Sequence, residues 1–402
     1  MSERLLDGLL VLDIASWIAG PVATTILADF GATVIKVESP AGDGLRNLWQ
    51  GNGMPDTGGR DFAWMADNRS KKGLCLNLGS EEGQEILHKL VAKADVLVTN
   101  FPFPVRRKLK LTYEDLAPLN DRLIYGSLTA YGEEGPESER TGFDSTALYA
   151  RTGMMDMMRA PGVPPVRSLP GMGDHPTGTA LFGAVMTGLY KRERTGKGSY
   201  VSSSLVANGM WMNGFFGQAA LLGGEVELRP HRDDAPNALA NHYCARDGRW
   251  FILAVLNEPK QAPALFEAMG RSDVLEDPRF ATQDARREHP IELTKIMDAI
   301  FAEHDWDHWK AKFDSVGITY GQAAKMEDLM GDDQLRHAGA VVSTGDSFDG
   351  DWAIGTPVFM RGENKKPPEA APLMGQHNEE ICADLGYSAD QIAAFKETGV
   401  LR

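Results

Sequence analysis

The sequence has only three cysteines in 402 residues, Cys75, Cys244 and Cys382, far apart and with no CxxC spacing. That pattern indicates neither a disulfide framework nor a zinc ribbon, and no metal site is expected. A reducing, cytoplasmic setting fits best. No run of 18 uncharged apolar residues occurs, so no membrane-spanning helix and no membrane partner are expected. The opening MSERLLDGLLVLDIASW has its apolar run broken by Asp7 and Asp13 and lacks a basic segment ahead of it, so no secretion signal is expected. Positive charge is in deficit: 41 Lys+Arg against 56 Asp+Glu leave a net charge of −15. Nucleic-acid binding rests on cations neutralising phosphates, and this balance argues against it. The first strand-to-helix turn, DIASWIAGP, lacks GxGxxG, and no GxxxxGK[ST] occurs, so the nicotinamide and ATP fingerprints are both absent. No period of 20 to 50 residues recurs, which excludes a solenoid.

What is present belongs to a globular chain: 43% apolar and 24% charged residues, long enough for two or three domains. Residues 9–14 (LLVLDI) predict a strand, Gly20-Pro21 opens a helix continuing over 22–30, and 33–38 (TVIKVE) predict a second strand. The alternation continues with a helix over 81–93 capped by Ser80, a strand at 95–100, a helix from about Thr112 and a strand at 122–128. Alternating strands and helices imply a largely parallel sheet covered on both faces. Residues 178–194 and 204–222 read as long, mostly apolar helices joined through TGKGSYVSSS, their small residues implying tight helix or subunit packing. From 226 to about 330 the character changes, with the strand RWFILAV and helices near 258–269, 291–304 and 306–316. Near the C-terminus, Ser388 and Gln391 form a capping box.

Several side chains invite chemistry. His304 and His308 stand at i and i+4, but Asp305 occupies the place where HExxH needs Glu, so they read as surface histidines, with Asp305 capping the next helix. VRRKLK (Arg106, Arg107, Lys108, Lys110) reads either as a solvated helix face or as a phosphate site. The richest segment is GMGDHPTG, residues 171–178, where Asp174 stands among glycines ahead of a helix. Glycines let the backbone approach a ligand, and a carboxylate there serves as nucleophile or base; the plainer reading makes Asp174 the helix cap.

Taken together, LADFGATVIKVESPAGDGLR (27–46), NRSKKGLCLNL (68–78), ADVLVTNF (94–101), GFDSTALYARTG (142–153), GMGDHPTG, RTGKGSYV (194–201) and APLMGQHNEEI (371–381) resemble the class III CoA-transferases. These are relatives of the α-methylacyl-CoA racemases. The resemblance implies a Rossmann-like α/β large domain from 1–225 and 331–402, a smaller inserted α+β domain over 226–330, and an interlocked homodimer. It implies a CoA thioester as substrate, with no permanently bound cofactor, and a carboxylic acid as its partner. Asp174 would be the nucleophile that forms an aspartyl-CoA intermediate, with Asp144 in support, either catalytic or structural. CoA contacts would come from Ile18, Ala19, Leu76, Asn77, Asn100, Phe101 and Lys108.

The racemases carry His where this chain has Phe143, which counts against racemisation. Ser39 stands where the formyl-CoA enzymes have Arg, and their glycine-rich small-domain loop is not recognisable, which counts against formyl transfer. The motifs look most like those of the phenyllactate and 2-hydroxyisocaproate enzymes. Met154, Met155, Met157 and Met158 suit core packing or an adaptable apolar pocket. A dicarboxylic substrate would instead need a cation such as Arg151, Arg159 or Arg167.

Overall fold

The computed structural model describes residues 4–51 and 53–402, which form two compact units: one from residues up to Met155, Arg167–Glu225 and Gln334–Arg402, the other from Asp156–Val166 and Val226–Asp333. The first unit is built on β1 (Leu10–Asp13), α1 (Ala19–Asp29), β2 (Thr33–Glu38), α2 (Phe62–Asn68), β3 (Lys72–Cys75), α3 (Glu81–Lys93), β4 (Val96–Thr99), α4 (Phe103–Lys108), the short α5 (Tyr113–Leu116), β5 (Ile124–Thr129), the first half of the short α6 (Met154–Met157), α7 (Asp174–Thr195), β6 (Ser199–Ser204), α8 (Leu205–Met212) and α9 (Gly214–Leu221). The six strands form one all-parallel sheet in the order β3-β2-β1-β4-β5-β6.

Successive strand residues serve opposite faces. Val11, Val34, Val96, Val98 and Ile124 join a core with α1 and α7, while Leu12, Ile35, Leu97 and Tyr125 join a second core with α3 and the C-terminal helices. This period-2 split of near-continuous apolar runs is what a sheet covered on both faces requires. Beneath the end of β1, Asp13 is fully buried between Lys36 (3.6 Å) and Lys71 (2.8 Å) and accepts from Thr24. Burial works against its charge, but the two ammonium groups outweigh it and hold the carboxyl below its ordinary range. Lys36 also binds Asp43 (2.9 Å) and the Ala15 carbonyl, so the turn after β1 is held from below.

α1 and α7 pack closely because position 178 is glycine: a Cβ there would lie 2.6 Å from the Ala19 carbonyl oxygen and 2.7 Å from Val22. Gly188 and Gly209 are likewise tightly packed, whereas Gly183 and Gly214 face open space. Other expectations are corrected. SYVSSS is not a connector but the edge strand β6, whose hydroxyl-bearing residues point alternately outward. The helix read at 204–222 is two helices, broken at Asn213, whose side-chain amide donates to the Thr152 carbonyl. β3, a four-residue strand of composition KGLC, had no hydrophobic pattern to reveal it.

In the second unit an antiparallel sheet, β7 (His242–Cys244), β8 (Trp250–Leu253) and β9 (Tyr320–Gln322), packs with α10 (Glu258–Ala268), α11 (Gln283–Glu288), α12 (Pro290–Phe301) and α13 (Trp306–Val316). Its core centres on Tyr243, Phe251, Phe301, Trp309 and Phe313. His304 and His308 stack ring on ring at 3.9 Å, and both are exposed. Asp305 sits at the cap position of α13 but makes no capping bond, pairing instead with Arg246. The chain continues through α14 (Asp333–His337) and the pair β10 (Val341–Ser343) and β11 (Trp352–Ile354) to α15 (Asn378–Asp384) and α16 (Ala389–Glu397). Ser388 and Gln391 form the expected capping box. Among the described residues no helix is long and apolar enough to cross a membrane, and no three metal-ligating side chains cluster.

Candidate active site

In a sheet of this order the chain leaves β1 and β4 in opposite directions, and the loops beyond their carboxyl ends part to leave a crevice. The loop after β1 supplies Ser16, Trp17 and Ala19, and the loop after β4 supplies Asn100, Phe101, Pro102 and Phe103; all seven line a cavity of about 180 Å³. The two loops are tied together by Asn100, which accepts from the Ser16 amide at 2.9 Å and donates to its carbonyl at 2.7 Å. Arg106, fully buried, anchors the second loop by donating to the Phe101 carbonyl, the Ser127 hydroxyl and the Leu128 carbonyl. Arg140, Phe143 and Asp174 line the same cavity.

Asp174 is the first residue of α7, not its cap; the cap position belongs to Gly173. Its carboxylate accepts no hydrogen bond among the described residues and opens into the cavity at the positive end of a 22-residue helix. Burial, and next the negative charge of Asp144, push its pKa from 3.8 up to about 7, while His175 pulls the other way. Asp144 is itself buried, 6% exposed, with one oxygen accepting from the Ser145 amide (2.7 Å) and the other from the Gly173 amide (3.0 Å). Both its oxygens are thus committed to backbone, which locks the turn that delivers Asp174.

Two features of the site were not singled out in the sequence. Trp17 has φ 63°, a left-handed backbone that a bulky residue avoids, and it is held there by a hydrogen bond that its backbone amide donates to Asp43 Oδ1 (3.0 Å). Its ring meets Phe143 edge-on at 5.6 Å, so the position that lacks the racemase histidine instead forms half of an aromatic wall. The second feature is an ion pair between His175 and Asp67, 108 residues apart. His175 lines a different, mostly apolar cavity of about 400 Å³ with Val22, Ile26, Asp67, Arg69 and Ile354. The sequence signal for this pair was that His175 lies within the 171–178 segment and Asp67 directly precedes the 68–78 segment.

Of the candidate CoA contacts, Ala19, Asn100 and Phe101 share the cavity with Asp174. Ile18 is the cap residue of α1, outside that cavity lining. Lys108 is exposed and lines a separate groove with Ser80, Gln84, His88 and Lys110. Leu76 is fully buried in the core beside Leu401, and Asn77 shapes the turn into α3 by accepting from the Gly79 amide. In VRRKLK the solvated-face reading fails for Arg106, which is buried, and holds for Arg107, which pairs with Glu139 on the surface.

The chain matches the family model described as CoA-transferase family III over residues 6–378. It is 33% identical over 399 residues to the (R)-2-hydroxy-4-methylpentanoate CoA-transferase of Clostridioides difficile, covering 99% of this chain and 100% of that protein. It is 30% identical to the cinnamoyl-CoA:phenyllactate CoA-transferase of Clostridium sporogenes, covering 98% and 97%. Further relatives of comparable identity are named for glutarate and for oxalate. Among solved structures it resembles a CAIB/BAIF family protein from Brucella suis, with a TM-score of 0.84 and 30% identity over 96% of this chain and 100% of that one.

Proposed function

The chain belongs to CoA-transferase family III and is a CoA-transferase; we propose that Asp174 is its covalent nucleophile and that its acids are 2-hydroxy acids with an aryl or branched body. The observation that carries the reading is a carboxylate that accepts no hydrogen bond among the described residues, at the start of α7, opening into the crevice between the two loops. The Asp174 carboxylate attacks the thioester carbonyl and expels CoA thiolate, leaving a mixed anhydride. The thiolate attacks the aspartyl carbonyl, which forms the aspartyl-CoA thioester and releases the donor acid. The acceptor carboxylate repeats the exchange in reverse, and CoA leaves on the new acyl group with Asp174 restored. Each step trades one activated acyl group for another, so no nucleotide is consumed. A carboxyl that titrates near 7 is more basic, and so more nucleophilic, than an ordinary aspartate, yet is mostly ionised at slightly alkaline pH.

The acid class is supported by the names of two relatives and by the Trp17–Phe143 wall, which suits an apolar body. A dicarboxylate would call for an unengaged cation. Arg140, on the cavity wall, is paired with Glu137 at 2.6 Å, while Arg151 and Arg159 pair with Glu137 and Asp156, and neither they nor Arg167 line the cavity. Assembly as a homodimer in the cytoplasm belongs to the same proposal. It is supported by the apolar face of α8 and α9, where Trp211 is 86% and Phe215 90% exposed, and light scattering tests it.

The central test is intact-protein mass spectrometry on wild type and Asp174→Ala, mixed with acyl-CoA donors and with 4-methyl-2-hydroxypentanoate, phenyllactate or succinate as acceptor. A CoA adduct and exchange that both vanish in the variant, with the hydroxy acids preferred, are the expected result. Exchange that survives the substitution refutes the nucleophile.

A further inference from the structure

His175 follows the proposed nucleophile directly, and its ring is held at both nitrogens. Nδ1 lies 3.0 Å from the Gly171 carbonyl oxygen and Nε2 lies 3.1 Å from Oδ1 of Asp67. A carbonyl oxygen and a carboxylate only accept, whereas a neutral imidazole has a single N–H, so only the doubly protonated ring donates to both. Asp67 is buried and rigidly set: its backbone carbonyl accepts from the Thr25 hydroxyl (2.6 Å) and the Lys71 ammonium (2.8 Å). The Gly171 end is equally special, since that residue has φ 77° and begins the turn that leads to Asp174.

We propose that the Asp67–His175 pair is a positioning element of the transfer reaction: a fixed imidazolium beside Asp174 that keeps the nucleophile ionised, while its Nδ1–H bond to Gly171 holds the turn that aims it. This rests on Asp174 being the nucleophile. The charged groups bearing on Asp174 are Asp144 from the 144–150 segment, His175 on α7 itself and Asp67 from α2, and the cavity lining adds Arg140; α1 and α8 contribute only Ala19 and Leu205 there. Around the His175 ring the other cavity adds Arg69, already paired with Asp29 at 3.0 Å. Without His175, Asp174 faces two carboxylates and no adjoining cation. In agreement, the hydrogen bond to Asp67 raises the imidazole, whose side chain is 53% exposed, to about 9 against partial desolvation, which keeps it charged through neutrality.

Two readouts test this. In 15N NMR of the wild-type protein at about pH 8, His175 should show both ring nitrogens protonated; the spectrum of a neutral tautomer overturns the proposal and needs no variant that folds. In pH profiles of CoA exchange, kcat/KM of the wild type should rise through about 7. His175→Gln should move that limb upward, costing about tenfold in kcat/KM at about pH 6 for each unit moved. His175→Lys, which retains a cation, and the double variant His175→Gln/Asp67→Asn, which removes the orphaned acid, should bring it back. A lower kcat at every pH with an unmoved limb marks His175 as merely structural and overturns the proposal. The Asp174→Ala control separates the two ideas: exchange surviving there refutes the nucleophile, whereas a dead Asp174→Ala beside an unmoved His175→Gln limb refutes only the positioning role.

Discussion

Replacing the proposed nucleophile should make the protein more stable, by an amount that grows as pH rises from about 4 to about 7. In the unfolded chain Asp174 titrates near its ordinary 3.8, whereas in the folded chain it is raised to about 7 by burial and by Asp144. The native state therefore holds a proton that the unfolded state gives up. The resulting stabilisation is full below about pH 4 and is lost as pH rises through 7. A shift of about 3 units at about 1.4 kcal/mol each amounts to about 4 kcal/mol. Asp174 is partly open to solvent, and discounting by about half for screening leaves about 2 kcal/mol. Asn is close to a permanent analogue of the neutral acid, so Asp174→Asn should raise Tm at about pH 8 by roughly 3 °C for a unit of this size. By about pH 5 the gain should fall to about a third. Differential scanning calorimetry at both pH values decides it. An equal gain at both values, or a loss at pH 8, refutes the claim that the nucleophile is held at an electrostatic cost.

Two further outcomes follow from the packing around the cavity. Gly178→Ala places a methyl 2.6 Å from the Ala19 carbonyl, so it should separate α1 from α7 and destabilise the fold by about 1–3 kcal/mol in urea titration, with exchange activity falling as Asp174 shifts. Trp17→Gly relieves the left-handed backbone but removes half of the aromatic wall; it should lower kcat/KM for phenyllactate by roughly tenfold relative to a small acid such as acetate. Phe143→Ala should do the same without relieving strain, and if neither variant changes the ratio, the wall does not select the acid.

The sequence by itself determined the parallel α/β sheet, because β1 and β4 are near-continuous apolar runs and β2 and β5 keep β-branched and apolar residues between helix signals, the alternation that a sheet covered on both faces requires. It did not reveal β3 or β6. One, KGLC, has too few large apolar residues to stand out, and the other carries serines at the sheet edge, where hydrogen-bonding neighbours rather than burial make the strand. Asp174 was legible as chemistry because a carboxylate among glycines ahead of a helix is unusual. Its place as the first helical residue, with its oxygens unengaged, was not, since Ser, Thr, Asn and Asp at such positions usually cap.

Which residues stand beside Asp174 was decided only by the tertiary structure. Ala19, Asn100 and Phe101 meet there because the loops after β1 and β4 share one crevice, whereas Leu76 went to the core and Lys108 to a separate groove. The protonation of the nucleophile belongs to the same level. It depends on Asp144, 30 positions earlier, and on Asp67, which reaches His175 across 108 residues, and Coulomb interaction acts over distance in space, to which separation along the chain is no guide.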